Sequence, residues 1–166
     1  TEVSKSASDI ILTDDSFSTI VSAIGEGRRI FDNIRNVLVY LLAGNIVEIL
    51  IVFIGMVLGF EIFVPIQLLY INLITDSIPA IALSFENAEN DIMKREIRKK
   101  NSSFFTSFLI AKMSFSVILK TLSVVLVYYL GLKLYGVSIA KTMSFLTIIF
   151  LEIIFAFSCK NLKKSV

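Results

Sequence analysis

The sequence predicts an all-α membrane protein: four transmembrane helices, with a long stalk helix leading into the first. Three observations carry this. Apolar residues make up 55% of the 166 and charged residues only 18%, a balance typical of the membrane class. Four apolar stretches are each long enough, at roughly 1.5 Å per residue, to cross a hydrocarbon core of about 30 Å. Charge gathers between those stretches, and mean hydropathy is strongly positive.

Residues 1–16 are soluble in character. Ala7-Ser8-Asp9-Ile10-Ile11-Leu12-Thr13-Asp14-Asp15 reads as a short buried strand running into an acidic turn. Asp15 or Ser16 then suits the N-cap of a helix. Residues 17–36 form the stalk, with Phe17, Ile20, Val21 and Ile24 on one face. Gly25 and Gly27 weaken this helix, yet Arg28, Arg29, Ile30, Ile34 and Arg35 keep helical spacing into the first span, 37–60. A continuous helix here makes a single rod between the polar segment and the membrane. Only a few residues around Glu61 precede the second span, 63–85, so the two are antiparallel neighbours.

Residues 86–106 form a polar loop whose Lys94, Arg95, Arg98, Lys99 and Lys100 read as solvated and lipid-facing. The third span, 108–132, is interrupted by Lys112 and Lys120. A turn over 133–140 leads to the fourth, 141–159, and a basic tail covers 160–166. Basic residues precede span one, separate spans two and three, and follow span four. The positive-inside rule places both ends and the long loop in the cytoplasm, without distinguishing a plasma from an intracellular membrane. The first residue is Thr1 rather than methionine, and the chain reads as a piece of something longer.

Composition also excludes functions. With no histidine, imidazole metal sites and His-based triads are ruled out. The lone cysteine, Cys159, has no partner for an internal disulfide and reads as a free thiol at a helix end. A net charge of +2 points to no nucleic-acid partner; the partner indicated is the bilayer.

The chemistry concentrates in Tyr70-Ile71-Asn72-Leu73-Ile74-Thr75-Asp76-Ser77-Ile78-Pro79-Ala80. On a helix Asn72, Thr75 and Asp76 stand at i, i+3 and i+4, on one side. Pro79 offers no N–H to the Thr75 carbonyl, so the helix is expected to break and free that oxygen. Span one carries its own pair, Asn45 and Glu48. By rise per residue Glu48 lies roughly 16 Å inside the cytoplasmic edge and Asp76 roughly 20 Å from the outer one, both near mid-membrane. A carboxylate at such depth costs several kcal/mol unless it is paired, solvated or functional. This all-oxygen set suits a hard cation such as calcium. Blander roles are open for single residues: Thr75 as interhelical glue, Gln67 at the interface, Lys112 snorkelling to the surface. Two readings of Glu152 stand side by side. It is either a third ligand, or it is neutralised by Lys120 at similar depth.

These residues resemble the calcium-transporting P-type ATPases of the sarcoplasmic-reticulum-like branch and their bacterial relatives. The likeness lies in 7–21 and Glu26-Gly27-Arg28, in Asn45-Ile46-Val47-Glu48, in Pro65-Ile66-Gln67-Leu68-Leu69 running into Asn72-Leu73-Ile74-Thr75-Asp76, and in Asp91-Ile92-Met93. The resemblance implies that 1–16 is the tail of the phosphorylation domain and that the spans are the family's fifth to eighth membrane helices. It implies Asn45 and Glu48 as calcium ligands on the fifth helix and Asn72, Thr75 and Asp76 on the sixth, with Asp76 bridging two ions. Glu152 matches the eighth-helix carboxylate. It further implies that catalysis with ATP and Mg2+ belongs to the intact pump and not to this chain alone. The nucleotide, phosphorylation and actuator domains and the other membrane helices of the same ATPase would then be its partners. Lys120 departs from the family pattern: a fixed ammonium near Glu152 changes how many ions fit. The rivals are a same-family pump for Na+, H+ or Mn2+, and a free-standing four-helix channel or regulator.

Overall fold

Helix formation follows the apolar runs closely. The computed structural model describes residues 2–9, 11, 16–87, 91–94 and 104–160. In order these form α1 (Glu2–Ser6), α2 (Phe17–Leu58), α3 (Pro65–Tyr70), a π-helical turn (Ile71–Asp76), α4 (Ser77–Ser84), α5 (Ser107–Tyr135) and α6 (Val137–Lys160). Four helical stretches are long and apolar enough to cross a membrane: α2, the composite 65–84, α5 and α6.

The expected strand over 7–15 is not formed where the chain is described. Glu2–Ser6 is a single helical stretch, and Ala7, Ser8, Asp9 and Ile11 are exposed and unpaired with any strand. No other strand exists among the described residues, and a lone strand would leave its backbone groups without partners. Ile10 and residues 12–15 lie outside the described residues.

α2 is the rod that the spacing anticipated: 42 residues without interruption, about 63 Å long. Ser16 stands at its N-cap in extended conformation, its hydroxyl shared with that of Ser18. The buried residues Asn33, Asn36, Tyr40, Ala43, Gly44, Val47, Glu48, Ile51 and Gly55 recur every three or four positions, a single inward stripe. Beyond Leu58 a tight connection buries Ile62 and Phe63. Pro65 opens α3 at a position where its missing N–H costs nothing, and the Gln67 side chain accepts from the Val64 N–H at 3.0 Å.

The second span is not broken at Pro79. It runs through a π turn over Ile71–Asp76 and resumes as α4. The wider turn lies just ahead of the point where proline removes the bond to Thr75. The connection between the last two spans is also tighter than expected. One residue, Gly136 at φ 87°, separates α5 from α6, a left-handed backbone that glycine adopts without penalty.

α5 and α6 form an extensively packed antiparallel hairpin, and α2 lies against both and against α4. Val39, Tyr40, Val47, Ile51, Val124, Tyr128, Ile148 and Phe155 make the shared core. Outward-facing Phe53, Met56, Leu73, Phe115, Leu122 and Phe150 are exposed, as helices in lipid require. One end of the bundle is tied by basic side chains. Arg28 donates to the Ile92 carbonyl at 2.8 Å, Lys160 pairs with Glu86 at 3.1 Å and Lys112 reaches the Ser158 carbonyl at 3.4 Å. Buried Asn33 donates to the carbonyls of Ser84 at 3.0 Å and Glu86 at 2.8 Å, clamping the stalk to the end of span two.

Asn33→Ala removes two part-buried hydrogen bonds, each contributing about 0.5–1.5 kcal/mol. Thermal inactivation of the full chain in detergent should begin at lower temperature in this variant, while Ile30→Ala, at an exposed position, should leave it unchanged.

Candidate cation site

The π turn decides which side chains enter the bundle. Ile71, Thr75 and Asp76 are buried, while Asn72 sits at the edge. Asn72 nonetheless reaches across to α2, where its amide donates to Glu48 Oε2 at 2.7 Å, and it also donates back to the Leu68 carbonyl at 3.0 Å. The Thr75 carbonyl released by Pro79 is not left open. The Tyr40 hydroxyl donates to it at 3.2 Å and lies 3.5 Å from Asp76 Oδ1.

Glu48 is 8% exposed and Asp76 3%. Each carboxylate has one oxygen buried without a partner: Glu48 Oε1 and Asp76 Oδ2. In an apolar surrounding such an oxygen is costly, and either a bound cation or a proton would remove the cost. Glu48 and Asn72 also line a groove of about 450 Å³ with Ile49, Val52, Phe53, Met56 and Leu68.

The structure brings Lys120 and Glu152 into contact. Lys120 Nζ donates to both of its oxygens, at 2.9 and 3.0 Å, with Lys120 2% and Glu152 1% exposed. The ammonium also stands 4.1 Å from the centre of the Phe155 ring, which stacks on Tyr40. Among the described residues no three histidine, cysteine or acidic side chains group as a ready-made metal cage.

Asn45 is not brought in. It is exposed one residue beyond Gly44, turned about 100° around α2 from that glycine and about 60° from Glu48. Glu48, Asn72, Thr75 and Asp76 do gather where α2 meets the second span.

Two contributors escape a reading based on oxygen ligands, Tyr40 and Gly44. A Cβ on Gly44 would lie 3.3 Å from Asp76 Oδ2 and 3.6 Å from each Glu152 oxygen. The absent side chain leaves Asp76 Oδ2 room against the α2 backbone, while the Glu152 oxygens stand at ordinary contact distance. Their signal was spacing: Tyr40, Gly44 and Glu48 follow at i, i+4 and i+8, on one helical face.

Comparison with known proteins places the chain in a family. Residues 60–166 match the family model described as cation transporting ATPase, C-terminus. Over 166 residues the chain is 39% identical to a calcium-transporting ATPase of Bacillus subtilis (strain 168), covering 97% of this chain and 18% of that protein. A calcium-transporting ATPase of Listeria monocytogenes is 37% identical over 162 residues, again covering 97% and 18%. The endoplasmic reticulum-type calcium-transporting ATPase 4 of Arabidopsis thaliana is 38% identical over 145 residues, covering 85% and 14%. The chain spans less than a fifth of the length of these relatives.

Gly44→Ala in the full chain should press on Asp76 and weaken cation binding about tenfold, equivalent to about 1.4 kcal/mol. Equilibrium binding of calcium-45 measures this. Leu42→Ala, on the exposed face of the same helix, is the control expected to bind normally.

Proposed function

The chain belongs to the cation-transporting ATPase family, and from that premise we propose that it forms the ion-binding membrane portion of an ATP-driven pump exporting calcium from the cytoplasm. One observation supports this most directly: Glu48 and Asp76, on neighbouring helices beside a π turn, each bury an oxygen with no partner. Two carboxylates, the Asn72 amide oxygen and the Thr75 hydroxyl are hard donors that suit calcium. The names of the relatives favour calcium over sodium, protons or manganese.

In this reading α2 is the lever. Phosphorylation by ATP and Mg2+ in other domains of the pump displaces its stalk end, and residues 1–16 link the stalk to the phosphorylation domain. The Asn33 clamp on Ser84 and Glu86 acts as the fulcrum. Glu48 lies roughly 22 Å farther along, so a tilt of about 5° moves it by about 2 Å. Shifts of this size are common when packed helices rearrange. Moving Glu48 against Asp76 and Asn72 changes whether one ion is held by both helices, which is alternating access around a fixed site. The basic ties among Arg28, Lys112 and Lys160 lie together at the stalk end of the bundle. That clustering favours a cytoplasmic location for both ends of this chain.

Asp76→Asn in the complete ATPase should abolish calcium-dependent phosphorylation by ATP, and Glu48→Gln should reduce it severely. Uptake of calcium-45, and not sodium-22, into vesicles holding the wild-type protein is the companion result. Normal calcium dependence in Asp76→Asn would remove the site from its assigned place.

A further inference from the structure

We infer that Lys120 is a tethered counter-ion that holds Glu152 out of the ligand set, so that the membrane site takes one exchangeable divalent cation, at Glu48 and Asp76. This rests on the pump reading above and specifies its stoichiometry.

Charge is the first support. The buried charged side chains among the described residues are Glu48, Asp76, Lys120 and Glu152. Lys120 cancels Glu152, leaving two negative charges, which one divalent ion neutralises. A second such ion would leave two net positive charges in a medium that solvates charge poorly; without the Lys120 ammonium the same two ions would leave only one.

Position is the second. A buried ion pair joining α5 to α6 for structural purposes has many equivalent places along that hairpin. This one lies where the Glu152 oxygens and Asp76 Oδ2 converge on the same point above Gly44. Any cation coordinated by Glu152 would therefore sit beside the Lys120 ammonium and be repelled by it. Both Glu152 oxygens already accept from Lys120, and the Phe155 ring steadies the ammonium from another side. The lysine thus acts as an ion that never leaves.

The test counts calcium-45 bound per phosphorylatable enzyme in the complete ATPase. Wild type should bind one ion, and Lys120→Arg, which keeps the charge, should also bind one. Lys120→Met exposes a third carboxylate and should bind two. Combining it with Glu152→Gln should return the count to one, a reversal that mere loosening of the helix pair would not produce. Two ions in wild type, or one in Lys120→Met, overturns the inference. If Lys120→Met does not fold because Glu152 is left unpaired, the wild-type count decides alone. If calcium does not bind at all, the calcium reading fails separately. The comparison is then made with manganese-54 and sodium-22: bound cation charge that rises in Lys120→Met upholds the role of Lys120, and bound charge that stays level overturns it.

Discussion

Charge placed inside hydrocarbon must be neutralised on the spot, and the arrangement of this bundle answers to that constraint. Lys120 and Glu152 satisfy each other across α5 and α6, which fixes how those helices align along their length. The one-residue connection at Gly136 fixes the same alignment from the other end. Removing either partner of such a pair leaves an uncompensated buried charge, typically a loss of 3–5 kcal/mol. α2 then lies against a hairpin whose register is set twice over. Its glycine at 44 leaves room for the Asp76 carboxylate, with the Glu152 oxygens close beside it.

Backbone groups obey the same constraint on a smaller scale. A proline within a span frees a carbonyl, and in lipid a free carbonyl has no water to turn to. Here the Tyr40 hydroxyl from α2 supplies the donor to Thr75, so the irregularity is absorbed and the helix continues. The π turn has a second effect, because it turns Thr75 and Asp76 inward together while leaving Asn72 at the rim. The rim position is what lets Asn72 bridge to Glu48 instead of joining Asp76.

Much of this was legible in the residues. Apolar length and charge placement gave the four spans, because lipid permits so few alternatives. Glu48 and Asp76 stood out because ionised groups at mid-membrane are rare. What pattern could not supply was rotation. Asn45 and Glu48 share helical spacing, yet one more residue of turn sends Asn45 outward, and only the packing of α2 against α4, α5 and α6 decides where the boundary falls. The break expected at Pro79 became a π turn for a similar reason: a donor 35 positions earlier in the chain was available to take the carbonyl. Lys120 and Glu152 were visible as a pair, but their depths alone did not say whether they touched. The strand expected at 7–15 was read from local apolar character, and strands depend on neighbours that local character does not reveal.

The continuity of α2 bears on how such a sequence tolerates change. Asn33, Tyr40, Gly44 and Glu48 keep their bearings to one another only because every residue between them is helical. Inserting or deleting a single residue within this stretch would swing everything on one side by about 100°, parting the amide clamp from the carboxylate it is phased with. Side chains on the outer face are free to vary in kind. The number of residues separating clamp from carboxylate is not, so the spacing itself is under stricter control than most of the letters that fill it.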